Sequence, residues 1–270
     1  MLMKHNIKIT IIILLLFFAA QLIGLFITSK YIVNGNLPLD IERPEVDEKT
    51  SYIPLLIMIV VATIIALLIA RFRAMKLWRF WFFVSVFVTL NIAFWPFLRD
   101  FGNNGVIANI IICGGLALWK TLKRNIFVHN LTELFIYAGL SAIFVPILGL
   151  EAVSILLIAI AIYDIIAVWQ TKHMIRLAKF QSESKLFAGL YIPYDKGKEA
   201  ILGGGDIGFP LLFAGVILKR TGTLDAIIVA IFASLALFAL LLLSKKNRFY
   251  PAMPFLAFGC FVGYFVSLII

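Results

Sequence analysis

Residues 198–219 read KEAILGGGDIGFPLLFAGVILK, and residues 150–171 read LEAVSILLIAIAIYDIIAVWQT. Each is an apolar stretch with a single carboxyl in its interior, Asp206 in the first and Asp164 in the second. Asp164 lies 13 residues after Glu151 and 8 before Lys172, while Asp206 lies 8 after Lys198 and 13 before Lys219. Helices crossing a membrane in opposite directions would set both carboxyls about 12 Å from one boundary and about 20 Å from the other, at 1.5 Å per residue. A carboxylate in hydrocarbon costs roughly 2.5 to 3.5 kcal/mol even on the mild insertion scale, so two at one depth mark a functional site.

The rest of the chain supplies the membrane context. It is 63% hydrophobic and 14% charged over 270 residues, and its apolar runs approach the roughly 20 residues that span a bilayer. Nine spans are expected, at 7–28, 51–70, 80–98, 104–119, 130–149, 152–171, 200–218, 226–243 and 251–270. The expected fold is therefore an all-α, polytopic membrane protein forming one domain over 1–270, with six spans in 1–171, a cytoplasmic loop over 172–199 and three spans in 200–270. The first run follows Lys4 and Lys8 but is longer than a secretory signal core, so it reads as a retained span.

An inside amino terminus puts 18 of the 24 Lys and Arg on the cytoplasmic side, Lys120, Lys123 and Arg124 among them. That asymmetry predicts a multi-pass protein, of the cell membrane, with its carboxyl terminus outside. The net charge of +10 then belongs to loops facing anionic lipid, which makes nucleic-acid binding an unnecessary reading. Asp40, Glu42, Glu45, Asp47 and Glu48 read as a solvated outside loop, and Met174 to Phe180 as an amphipathic interfacial helix.

Residue inventory separates the intramembrane chemistries. A zinc enzyme needs clustered ligands, yet His5, His129 and His173 lie far apart at span ends. Ser141 has no histidine near the middle of a span to activate it and reads as a small packing residue bonded to its own helix. Cys113 and Cys260 read as packing groups. The aspartates remain: a close pair in low dielectric shares one proton, so one member draws a proton from water while the other donates to the scissile carbonyl. No metal or cofactor is required. Gly203, Gly204 and Gly205 weaken the helix before Asp206 and let backbone approach closely. Pro251, Ala252, Met253 and Pro254 open the last span with two missing amide donors.

Tyr163-Asp164, Gly203-x-Gly205-Asp206 and a Pro-Ala-x-Pro segment, in this order in the sixth, seventh and ninth spans, resemble the three signatures of the presenilin and signal peptide peptidase family of intramembrane aspartyl proteases. The resemblance implies a presenilin-like fold and a catalytic pair of Asp164 and Asp206. Tyr163, Gly203, Gly204, Gly205 and residues 251–254 would shape the site and engage substrate. Met253 stands where the family usually has leucine, a volume-conserving change, and Gly204 fills the variable position. The compact size resembles the microbial homologues, for which no obligatory protein subunit is expected.

The resemblance implies cleavage of single transmembrane helices or leftover signal peptides. A helical substrate hides its carbonyls and must be unwound, for which pairing against an extended segment such as Leu190-Tyr191-Ile192 is one route, while Tyr191 and Ile192 read equally as interface anchors. A proton- or cation-coupled transporter also accommodates buried aspartates but has no need of the Pro-Ala-x-Pro segment. A noncatalytic chaperone of the same fold would tolerate their replacement.

Overall fold

The computed structural model describes residues 7–33, 35–43, 45–123, 125–170, 180, 186–195, 198–244 and 250–270. Among these, nine helices of 15 residues or more follow one another: α1 (Ile7–Val33), α2 (Tyr52–Arg71), α3 (Met75–Leu98), α4 (Gly102–Leu122), α5 (Ile126–Phe144), α6 (Leu150–Ile165), α7 (Gly204–Arg220), α8 (Thr223–Leu243) and α9 (Met253–Ser267). Each overlaps one of the nine apolar runs. Six stretches are long and apolar enough to cross a bilayer; one of them, Met75–Leu122, contains both α3 and α4, and α9 is a shorter apolar helix. The chain is an all-α polytopic membrane protein in its architecture, with one exception among the described residues.

The exception is a hairpin of β1 (Gly189–Asp195) and β2 (Lys198–Gly203), antiparallel with Gly189 opposite Gly203 and Tyr191 opposite Ile201. The sequence predicted a span beginning at residue 200, whereas residues 200–203 are strand and the helix starts at Gly204. A short apolar run such as Ala200-Ile201-Leu202 reads as strand or helix alike, and three glycines in a row disfavour helix before Asp206. The amphipathic helix expected from Met174 to Phe180 lies outside the described residues except for Phe180, which packs edge-on against Trp78.

α7 is the hub, packed against α1, α5, α6, α8 and α9. Ile207 and every residue from Pro210 to Ile217 are buried, as expected of a helix apolar on all sides. At 17 residues it is about 25 Å long, and its carboxyl-bearing first turn packs against Tyr137 of α5 on one side. α8 and α9 pack closely because Gly259 and Gly263 lie on one face of α9: a Cβ on Gly259 would stand 2.7 Å from the Phe232 carbonyl oxygen, and one on Gly263 2.8 Å from the Val229 Cα. α2 is the opposite case, with Leu55 and Ile69 its only buried residues.

Two expectations about polar residues change, and a third, the exposed acidic loop, gains a contact. Ser141 accepts a hydrogen bond from Thr28 across the α1–α5 contact, at 2.8 Å. Lys120, assigned to a cytoplasmic loop, is buried at the end of α4 against Glu133, 2.7 Å away. The loop read as solvated is docked at one end: Lys219 reaches Glu48 at 2.6 Å, and the Gly149 amide donates to the Glu48 carbonyl.

Candidate active site

Asp206 is the third residue of α7, with Gly203 at the N-cap. Its carboxyl turns back over Gly203 and accepts that residue's backbone amide, which is the acid half of a capping box. A Cβ on Gly203 would stand 3.2 Å from Asp206 Oδ2, so the first glycine of the motif makes room for the carboxyl. Gly204 has a different neighbour, since a Cβ there would stand 2.8 Å from Tyr137 Oη. Gly205 is exposed. It leaves an uncovered strip of backbone beside the acid. Gln21 of α1, wholly buried, donates to the Ile207 carbonyl at 3.0 Å, and Pro210 removes the amide that would otherwise bond the Asp206 carbonyl.

Asp164 lies one residue from the end of α6, where Ile166–Gln170 continue as a π turn. The Ile166 amide is shared between the Ile162 and Tyr163 carbonyls, a local change of pitch of the kind that recurs at functional sites. Tyr163 is half-buried beside it. The Met253 amide donates to Asp164 Oδ2 at 3.1 Å, and the Ala252 amide also bonds this carboxyl. Met253 is the first residue of α9 and Ala252 its N-cap. Both donors are orphan amides of a helix start, so the ninth segment presents its positive end to the sixth.

The structure thus brings together Asp164, Asp206, Ala252 and Met253, and the two carboxyls stand close enough to interact electrostatically. Pro251 is buried beside them in sequence. Pro254 is placed differently: with Phe255 and Phe258 it lines an apolar groove of about 580 Å³ between α8 and α9. Among the described residues no group of three or more His, Cys, Asp and Glu side chains converges as a metal site.

Several residues around the site were not singled out by sequence reasoning. Glu133 and Tyr137 on α5 meet the hairpin and the glycine turn, and Asn130 bonds both the amide and carbonyl of Tyr191, at 2.9 and 2.8 Å. Gln21 and Glu133 were detectable as polar side chains within apolar runs. Their partners were not, being 186 and 56 residues away.

The chain arrangement and its sequence have known counterparts. Residues 13–270 match the family profile described as signal-peptide peptidase, presenilin aspartyl protease. Two solved structures of a presenilin family intramembrane aspartate protease, in C222 and P2 crystal forms, superpose with TM-scores of 0.69 and 0.68 at 20% identity. The first covers 96% of this chain and 98% of that one, the second 95% and 96%. A search of curated proteins found no match. With nearly its whole length matched by the profile and the same helical arrangement in three dimensions, the chain belongs to the signal-peptide peptidase and presenilin family of intramembrane aspartyl proteases.

Proposed function

We propose that Asp164 and Asp206 are the catalytic pair, and that they hydrolyse peptide bonds of transmembrane helices or residual signal peptides. The observation that carries this reading is that two carboxyls from different helices come within electrostatic reach of each other, Asp164 held by the Ala252 and Met253 amides and Asp206 by the Gly203 amide. Carboxyls so placed share a proton. The ionised member draws a proton from a bound water, and its neutral partner donates to the scissile carbonyl oxygen. Exposed Gly205 and the open edge of the hairpin flank the route by which an unwound substrate reaches them.

The substrate pairs with β2 rather than with the Leu190-Tyr191-Ile192 segment expected from sequence. The amide and carbonyl of Tyr191 are both taken by Asn130, so the far edge of β1 is covered by α5. Tyr191 faces Ile201 in the register, and in an antiparallel pair whose Tyr191 bonds point outward, those of Ile201 point outward on the opposite edge. Among the described residues β2 has β1 as its sole strand neighbour, and Ile201 is exposed. An added strand there lies directly upstream of Asp206 in the fold.

The positive-inside asymmetry of the loops supports a cytoplasmic amino terminus and an external carboxyl terminus. The hairpin, joining α6 to α7, then lies toward the cytoplasmic side. Single-cysteine labelling at Lys49 and at Ile270 from outside intact cells checks this; labelling of neither position defeats the orientation.

Purified protein in detergent, incubated with a transmembrane peptide beside Asp164→Asn and Asp206→Asn, tests the dyad by mass spectrometry of the products. Cleavage by the parent alone is expected. Cleavage by either folded variant removes that residue from the mechanism.

A further inference from the structure

The most buried charge pair among the described residues lies outside the two aspartates. Lys120 Nζ and Glu133 Oε1 are 2.7 Å apart, with side chains 0% and 1% exposed. Lys120 also donates to Thr132 Oγ1 at 3.0 Å. Removing two charges from water is costly, and truncating one partner of such a pair leaves the other uncompensated. A hydrophobic pair would hold α4 to α5 without that cost, so the placement of the remaining Glu133 oxygen is informative. Its Oε2 accepts from the Gly189 amide at 3.1 Å and from the Tyr137 hydroxyl.

Those two donors belong to two separate parts of the site. Gly189 is the first residue of β1; its φ of 143° and a virtual Cβ 2.2 Å from the Leu202 carbonyl oxygen restrict the position to glycine. Tyr137 lies against the turn before Asp206, where its oxygen occupies the space that a side chain on residue 204 would need. The Gly204 amide in turn donates to the Ala188 carbonyl at 3.1 Å, so hairpin and turn are also tied to each other. Glu133 therefore joins β1, the inner strand of the hairpin, to the turn that carries one acid, and Lys120 holds that carboxyl in place.

We propose that Glu133, held by Lys120, and Tyr137 are positioning residues for Asp206, and that the Tyr137 hydroxyl is what restricts the variable position of the glycine-aspartate motif to Gly204 in this chain. The proposal rests on the reading of Asp206 as catalytic. A well-placed acid contributes through geometry, and a small displacement of a reacting group is enough to lower turnover strongly.

The test is a double-mutant cycle on the full chain in detergent, with kcat and KM for a transmembrane peptide and melting temperature for each variant. Tyr137→Phe is expected to lower kcat about tenfold with KM within about twofold, because the hydroxyl link is lost and the ring retained. Gly204→Ala is expected to lose at least about tenfold, since its methyl meets the Tyr137 oxygen. The combined variant is expected to be at least as active as Gly204→Ala alone, because the oxygen in the way is gone. Losses that simply multiply, or parent kcat in Tyr137→Phe, overturn the proposal. A second route avoids an unpaired charge: Glu133→Gln with Lys120→Met is expected to remain folded and to lose about tenfold in kcat, while parent kcat in that folded pair refutes the role. Asp206→Asn is measured alongside. Activity retained there sinks the dyad itself, whereas activity lost there with unaffected Tyr137 and Glu133 variants sinks only the positioning.

Discussion

Asp206 and Asp164 sit on helix ends of opposite kind. Asp206 starts a helix that five others surround, with Gln21, Tyr137 and the hairpin around its first turn. Asp164 ends a helix that runs into a π turn, with Ile162, Ile166 and Trp169 exposed around it, and its fixed donors come from one place, the start of α9. The first acid is therefore held by its own helix and its neighbours, and the second by a segment nearly 90 residues downstream, |i−j| being 89. The difference teaches that the Pro-Ala-Met-Pro segment reaches Asp164 through backbone amides at the start of a helix, and that Asp206 is held locally while Asp164 depends on docking.

Replacement of either acid is the strongest challenge. Asp206→Asn and Asp164→Asn are each expected to lower cleavage by at least about a thousandfold without unfolding the chain, measured as product by mass spectrometry against melting temperature. The asymmetry appears next. Met253→Pro removes one of the two amides that hold Asp164 and is expected to cost about a hundredfold in kcat, while Met253→Leu, which keeps the amide and the volume, stays within about twofold. Equal losses in both would show that the side chain, and not the backbone, holds Asp164.

On the Asp206 side, Gly203→Ala pushes a methyl against the carboxyl and is expected to lower kcat about tenfold, with binding of a peptide-like aspartyl protease inhibitor weakened in parallel. Gln21→Leu removes one hydrogen bond to the Ile207 carbonyl, and about fivefold lower activity is expected. Its melting temperature should change little, because Gln21 Oε1 is buried without a partner among the described residues and the substitution removes that group as well. The smallest effect belongs to α2, which packs loosely against α3 and α6. Ile57, 58% exposed, is expected to tolerate alanine within about 0.5 kcal/mol by thermal denaturation in detergent. A larger loss would show that α6 needs lateral support from α2 as well as from α9.

Much of this arrangement was legible in the linear sequence, for physical reasons that apply residue by residue. Apolar runs of the right length made the helices near-obligatory, since backbone polar groups in lipid must be bonded within the segment. A lone carboxyl in such a run is costly wherever it lies, which made Asp164 and Asp206 stand out before any contact was known. The hairpin was missed because Ala200, Ile201 and Leu202 extend an apolar run without a break, and short runs of this kind read equally as strand or helix. Glu133 and Lys120 were missed because charges near span ends ordinarily face water.

By itself, then, the sequence determined the membrane class and the succession of helices, and it singled out two acids with glycine and proline neighbours as candidates, because these follow from local hydrophobicity, spacing and motif order. Tertiary structure alone decided which amides hold Asp164, which side of the hairpin stays open, and that Lys120 is buried against Glu133. Those are contacts between segments distant along the chain, and their free energies depend on which groups lose water together when the helices pack.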